Sequence, residues 1–530
     1  MLLTSGVTLS KGVFLMIVVS TILLGKRLWM LLLGLSMLLT VFSLPVSATS
    51  QPFAIFTGAN TNGALGSSLA GIGDIDGDGF PDILVGEPID INSVIEGGQV
   101  TAYSGKTGAV LFSLTGETAG DDFGATIDNI GDLDNDGFAD FVVGAPGNIG
   151  AGTEGAETGR IYIYSGRTHT TLSTLNGLLP SACFGHSLSA AGDVNNDGTP
   201  DIIVGAPLSD AGGAEAGEAF VYSGLTLALL YSFTGEAAYD QFGVAVSGAG
   251  DVNNDGFADI LIGASGNNSN GNNAGRAYLF SGATGELLNV LDGESVFDRF
   301  GNAVSDAGDL DNDGYADFMV GAPFNDNGAF NAGRVYVYSG KTVSLLYTLS
   351  GDKPYAQFGE SLSPMGDANN DGTVDIAVGA PGNTATGMRT GEAFVFSGTD
   401  GQELYTYKGE AISDAFGFPV ADVGDIDNDG RADILVGAKF NDAGGQGAGR
   451  AYIYQSGCCN VAGDANNDGS FSIADVTFGI ATIFAGGQAP ACQDEADANG
   501  DNTFNIADVS YGIARIFSGG PAPVCGGAGR

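Results

Sequence analysis

Three observations predict an all-β chain folded as a seven-bladed β-propeller, with a small α-helical module carrying two calcium loops behind it. An Asp/Asn-rich loop of one pattern recurs seven times, its first Asp at positions 74, 132, 193, 251, 309, 367 and 425, in steps of 58, 61, 58, 58, 58 and 58 residues. Each interval holds four short β-branched or aromatic runs and no sustained helical period. The last interval lacks its fourth run, while an unattached run of that form, Phe53-Ala54-Ile55-Phe56-Thr57-Gly58, stands ahead of the first.

The unit beginning at residue 300 illustrates the strands. Phe300-Gly301-Asn302-Ala303-Val304 leads into the loop Asp309 to Asp317, and Phe318-Met319-Val320-Gly321-Ala322-Pro323 follows it. Arg334-Val335-Tyr336-Val337-Tyr338 and Ser344-Leu345-Leu346-Tyr347-Thr348-Leu349 complete the set. Four such runs between Gly, Asn, Asp and Pro turns make one antiparallel blade, and seven blades around an axis make a propeller. A linear solenoid would also bury a continuous core. Closure is favoured because the early run supplies the strand that the seventh unit lacks, removing an exposed edge.

Each loop reads Asp-x-[Asp/Asn]-x-Asp-Gly-x-x-Asp. Side chains at positions 1, 3 and 5 converge if the chain curls tightly at the Gly, position 7 offers its carbonyl, and the Asp at position 9 closes the shell. Hard oxygen donors in this number suit Ca2+ better than Mg2+ or Zn2+. The expected ligands are Asp74, Asp76, Asp78, Asp82; Asp132, Asp134, Asp136, Asp140; Asp193, Asn195, Asp197, Asp201; and Asp251, Asn253, Asp255, Asp259. The remaining loops give Asp309, Asp311, Asp313, Asp317; Asp367, Asn369, Asp371, Asp375; and Asp425, Asp427, Asp429, Asp433. A structural role is expected, since metal neutralises carboxylates that otherwise repel one another.

Phe-Gly recurs at 123–124, 184–185, 242–243, 300–301, 358–359 and 416–417, and Gly-Ala-Pro follows at 144–146, 205–207, 321–323 and 379–381. This pairing resembles the FG-GAP repeats of integrin α-subunit propellers over residues 52–457. The departures are Leu65-Gly66 in the first repeat, and Gly86-Glu87-Pro88, Gly263-Ala264-Ser265 and Gly437-Ala438-Lys439 at the second motif. None of them touches the loops. There is no Arg-Gly-Asp, and no inserted domain interrupts the array.

Residues 458–530 hold a different duplication. Asp464, Asn466, Asp468 and Asp475 recur as Asp497, Asn499, Asp501 and Asp508, at positions 1, 3, 5 and 12 of an EF-hand-type loop. Asn502 replaces the usual Gly of position 6, and Asn tolerates positive φ. Apolar residues then fall at helical spacing: Val476, Ile480, Ile483, Phe484, and Val509, Ile513, Ile516, Phe517. Two loop–helix units 33 residues apart resemble a type I dockerin, which implies a cohesin-like partner. Dockerin loops often place small hydroxyl residues at positions 10 and 11, where this chain has Ile473-Ala474 and Ile506-Ala507. A tail that only caps the propeller stays open as an alternative.

Charge and composition bound the function. With 62 acidic and 18 basic residues the net charge is −44, which disfavours nucleic acid or an anionic membrane as partner. Half of the acids, 31 of 62, belong to the expected metal loops, so the charge is placed and not spread. A content of 44% hydrophobic residues in regular patterns argues against disorder. Lys26 and Arg27 precede an apolar run from Leu28 to Phe42, and Val46-Ser47-Ala48 offers a cleavage site, so residues 1–48 read as a signal peptide. An uncleaved anchor is the other possibility; the mature chain would otherwise have no membrane span. Cys458, Cys459, Cys492 and Cys525 bracket the tail and suit an oxidising compartment, with pairing undetermined, while Cys183 stands apart.

No catalytic constellation is visible. His169 and His186 form no metal-ligand pair, His186 reads as blade packing, and Trp29, the sole tryptophan, falls in the signal segment. The sequence therefore points to a secreted or cell-surface, calcium-dependent adhesion or binding protein for an extracellular protein or glycan ligand. The runner-up is an accessory or enzymatic component of a polysaccharide-degrading assembly. Asn148–Thr158, Asp210–Ala216 and Asn267–Asn273 are candidate contact loops.

Overall fold

The computed structural model describes residues 52–88, 97–148, 158–383, 389–456, 465, 471–485, 498 and 505–518. Within them the 58-residue period becomes seven antiparallel sheets of four strands each. In the fifth blade, Ala303–Gly308, Asp317–Ala322, Arg334–Tyr338 and Leu345–Ser350 pair in sequence order. The second strand is buried at every position in all seven blades. It reads as a continuous apolar run because neighbouring blades cover both of its faces. The outer strand alternates instead, leaving Leu229, Leu287 and Leu345 exposed. Inner strands line a central channel, where Leu69, Ile127, Leu188, Val246, Val304, Leu362 and Val420 form an apolar ring.

Closure follows the sequence expectation. The strand Ala54–Thr57 joins the seventh sheet beside Arg450–Tyr454, with Ala54 opposite Ile453 and Thr57 opposite Arg450. Phe56 is 5% exposed and its ring lies 4.3 Å from that of Tyr103 in the first blade. One short strand thus completes the last blade and seals it against the first, which excludes the linear solenoid.

The two recurring motifs meet between blades. Each Phe of a Phe-Gly pair is buried and meets the aromatic ring of its blade's third strand edge-on, as in Phe300–Tyr336 at 5.2 Å and 71°. In the first repeat Leu65 fills that position, 3% exposed, and bridges Gly449 as Phe300 bridges Gly275. The glycine after the Phe projects its carbonyl onto the first Gly of the preceding blade's Gly-Ala-Pro. A methyl on Gly379 would overlap the Gly417 carbonyl, and the same holds from Gly86 against Gly124 to Gly437 against Gly66. The contact runs around the ring without a break, which is why both motifs recur. Hydroxyls reinforce it: Ser68, Thr126, Ser187 and Ser361 donate to the carbonyls of Gly124, Gly185, Gly243 and Gly417 at 2.6 to 2.9 Å.

Two helices close the described chain, α1 (Ile473–Ala485) and α2 (Ile506–Ser518). Each begins with a capping box. The Ala474 and Ala507 amides donate to Ser472 and Asn505, while Asp475 and Asp508 accept from the Ser472 and Asn505 amides. Val476 and Val509 are buried, and Val476 packs against Gly512. The helical spacing does not translate into a shared core throughout: Ile480, Ile513, Ile516 and Phe517 are exposed. Of the other sequence expectations, the signal segment, the four tail cysteines and the residues Asp464, Asn466, Asp468, Asp497, Asn499 and Asp501 lie outside the described residues. Among the described residues no helix is long and apolar enough to cross a membrane.

Candidate metal-binding loops

Seven loops connect the first and second strands of the blades, so antiparallel topology places all of them on one face of the ring. The backbone curl has two sources. The Gly at position 6 has φ between 87° and 93° in every loop, as expected. Position 4 is also left-handed, with φ of 56° to 62° at Asn135, Asn196, Asn254, Asn312, Asn370 and Asn428, and 78° at Gly77. Asn and Gly are the residues that accept this conformation most readily. The sequence meets that requirement with six Asn and one Gly.

The curl turns backbone amides toward the carboxylates. Position 1 accepts from the amides of positions 5 and 6, as Asp309 does from Asp313 at 3.0 Å and Gly314 at 2.9 Å. Position 5 accepts from position 7, Asp313 from Tyr315 at 3.1 Å. Carboxylate oxygens of Asp74, Asp76 and Asp78 lie within 4.8 Å of one another, as do those of Asp132, Asp134 and Asp136. In two further loops the convergent sets are Asp309, Asp311, Asp317 and Asp425, Asp427, Asp433. The three other loops carry Asn195, Asn253 and Asn369 at position 3, and so hold one carboxylate fewer.

Position 9 does more than close a shell. Asp82, Asp140, Asp201, Asp259, Asp317, Asp375 and Asp433 are all fully buried. One oxygen of each accepts from the amide of loop position 2, at 2.8 to 3.1 Å. The other accepts from an amide in the segment just after the third strand, 23 residues on in six blades and 26 in the second, at 2.7 to 3.1 Å. This carboxylate pins the loop to the far side of its own blade. Burial, against the pull of these amides, pushes Asp82, Asp201, Asp259 and Asp375 up to about 6 and Asp433 up to about 8. A buried carboxylate this reluctant to ionise is one that a cation would stabilise.

The donor set fits a hard divalent cation. Each carboxylate keeps lone pairs beyond those taken by the amides. The side-chain oxygens of Asn195 and Asn253 are buried without any hydrogen-bond partner, while their amide groups donate to Asp201 and Asp259 at 3.2 and 3.3 Å. An orphaned carbonyl oxygen beside three carboxylates is costly unless something positive meets it.

The opposite face is built by the loops between second and third strands and by the connections between blades. Asp210 accepts from the Glu215 amide, Asn268 from Asn273, Asp326 from Asn331 and Asp442 from Gly447, at 2.7 to 2.9 Å. The candidate contact loops Asp210–Ala216 and Asn267–Asn273 are thus one pinned turn repeated in several blades; most of Asn148–Thr158 lies outside the described residues. Beside these turns Asn267, Asn325 and Asn441 each bridge an aspartate (Asp240, Asp298, Asp414) and a tyrosine hydroxyl (Tyr278, Tyr336, Tyr452). Tyr239, Phe297, Phe330, Tyr355 and Phe440 are exposed on this side. His186 is also exposed, at the channel mouth, and is not packed between blades as the sequence suggested; His169 stacks on Phe112 at 3.8 Å.

Six segments, 65–110, 123–164, 184–222, 242–280, 300–338 and 419–454, match the FG-GAP repeat. The sixth unit falls between two of them and still forms a complete blade, Ser361–Met365, Asp375–Ala380, Glu392–Phe396 and Glu403–Lys408. Integrin alpha-5 of Xenopus laevis is 32% identical over 230 residues, covering 40% of this chain and 21% of its own. Integrin alpha-V of Gallus gallus is 31% identical over 237 residues, 42% of this chain and 22% of its own. Integrin alpha-4 of Xenopus laevis reaches 36% over 150 residues, 26% and 14%. The chain therefore spans about a fifth or less of the length of these relatives.

Proposed function

We propose that this FG-GAP β-propeller is an extracellular, calcium-dependent binding module whose metal loops brace one face while the other meets an extracellular protein or glycan ligand. The observation that carries the calcium assignment is the pair of buried, unpartnered oxygens of Asn195 and Asn253, each in a loop with three carboxylates. Integrin α-subunits, to which the array is similar, make an adhesive role the natural reading. The exposed rings of Tyr239, Phe297 and Tyr355 favour the face opposite the loops as the contact surface, since exposed aromatics supply rigid contact area. In the same proposal the tail binds Ca2+ through Asp464, Asn466, Asp468, Asp475 and Asp497, Asn499, Asp501, Asp508. It docks to a cohesin-like or surface partner, which the exposed Ile473 and Ile506 would meet directly.

Extracellular calcium sites work at Kd near 10⁻⁴–10⁻³ M, and hundredfold excess metal stabilises a fold by about 2.7 kcal/mol per site. Thermal melting in millimolar Ca2+ and in chelator tests this half of the proposal; equal melting temperatures would refute it. Binding of the Tyr239→Ala/Phe297→Ala/Tyr355→Ala variant to arrayed matrix proteins and glycans tests the other half. Loss of the parent's signals with an unchanged melting temperature is the expected result, and retained signals would move the ligand to another surface.

A further inference from the structure

Whether a loop carries Asp or Asn at its third position is matched by a residue elsewhere in the blade. The third residue is acidic at Asp76, Asp134, Asp311 and Asp427, and neutral at Asn195, Asn253 and Asn369. In the first, second and fifth blades, the turn between third and fourth strands reaches the loop with a basic side chain. Lys106 Nζ lies 4.0 Å from the Asp78 carboxylate and 3.3 Å from the Asp78 carbonyl, and 4.4 Å above the Phe80 ring. Lys341 Nζ lies 3.5 Å from the Asp313 carboxylate and 4.5 Å above Tyr315. Arg167 donates to the Asp136 carbonyl at 3.3 Å and lies over Phe138 at 5.3 Å. The fourth acidic loop, in the seventh blade, has Arg431 at its own position 7. The three Asn loops have Leu225, Ala283 and Thr399 at the turn position, and Thr199, Phe257 and Thr373 at position 7.

Four carboxylates with one cation, or three carboxylates with none, leave every loop at a net charge of −3. Ring stacking alone does not account for the cations, because Phe257 offers the same ring and its blade has Ala283. We infer that Lys106, Arg167, Lys341 and Arg431 set the metal affinity of their loops, each offsetting the extra carboxylate so that all seven sites take up a divalent cation with matched strength. The inference rests on the calcium reading above. A fixed positive charge a few ångströms from a bound cation opposes binding about as much as one more carboxylate favours it. Matched sites fill over one range of metal concentration, so the ring is braced all at once and not blade by blade.

Calorimetric titration of the full chain with Ca2+ alone, at low ionic strength, tests this. The parent should show one class of propeller sites. In Lys106→Met/Arg167→Met/Lys341→Met a tighter class of three sites should separate, by roughly three- to tenfold. Adding Asp76→Asn, Asp134→Asn and Asp311→Asn should merge the classes again, and the separation should shrink in about 1 M salt, where charges are screened within about 3 Å. The tail loops contribute equally to every titration. A triple variant that titrates like the parent overturns the inference while leaving calcium binding intact; a parent that takes up no Ca2+ overturns the calcium reading and this inference with it. Should the triple variant fail to fold, Lys341→Gln alone, read by the same titration, must tighten one site, and an unchanged isotherm counts against the inference equally.

Discussion

Asp201 shows how one side chain serves two purposes. Its carboxylate accepts from Val194 and from Gly224, two buried amides that nothing else in the blade would satisfy, and it also borders the candidate cation site. Replacing it by Ala leaves both amides unpaired at a cost of about 2–4 kcal/mol, and this loss should appear even in chelator. Asp193 differs: the amides it holds, Asp197 and Gly198, are exposed and can turn to water. Asp193→Ala should therefore leave the unfolding free energy in chelator within about 0.5 kcal/mol of the parent while abolishing that loop's calcium gain. Equal behaviour of the two variants in chelator would reduce position 9 to a ligand like the others. The distinction was invisible in the pattern Asp-x-[Asp/Asn]-x-Asp-Gly-x-x-Asp, because the second partner of Asp201 lies 23 residues further on. The left-handed position 4, by contrast, was legible, since Asn or Gly stands there in every loop.

At the level of the blade, the strands were readable because burial on both faces forces the second strand to be apolar throughout, as in Asp375–Ala380. The closing strand was readable for a different reason: Phe53 to Gly58 repeats the form of the fourth strand with no blade before it. What the two named motifs do for each other was not readable, since the Gly417 carbonyl meets Gly379 only after the ring forms. The same is true of the Asn325–Asp298–Tyr336 bridge, assembled from three segments. Two tests follow at this scale. Gly379→Ala inserts a methyl against a backbone carbonyl that the whole seventh blade holds in place, and should cost several kcal/mol, on the scale of severe overpacking. Ser187→Ala removes one blade-to-blade hydrogen bond and should cost only about 1 kcal/mol. Denaturant unfolding distinguishes them, and a Gly379→Ala protein as stable as Ser187→Ala would mean that the blades can slide apart freely.

For the molecule as a whole, the charge is arranged by depth. Loop carboxylates ring one face, and three more acids, Asp128, Asp306 and Asp422, line the channel between that face and its apolar ring. Burial, followed by the charge of Asp128, pushes Asp306 up to about 6, and burial raises Asp128 and Asp422 as well. A carboxyl whose folded value stands above its unfolded one binds more protons folded than unfolded between the two. Its contribution is therefore favourable at low pH and declines as pH rises from about 4 through about 6. Asp306→Asn keeps the shape without the charge, so at constant saturating Ca2+ it should match the parent near pH 4 and exceed it by on the order of 1–3 kcal/mol at pH 7. The comparison with the parent at each pH removes the titration of the loops, which both proteins share. A variant that is destabilised at pH 7 would mean that the ionised Asp306 is held by a positive partner in the channel, and that the channel is built around a bound cation.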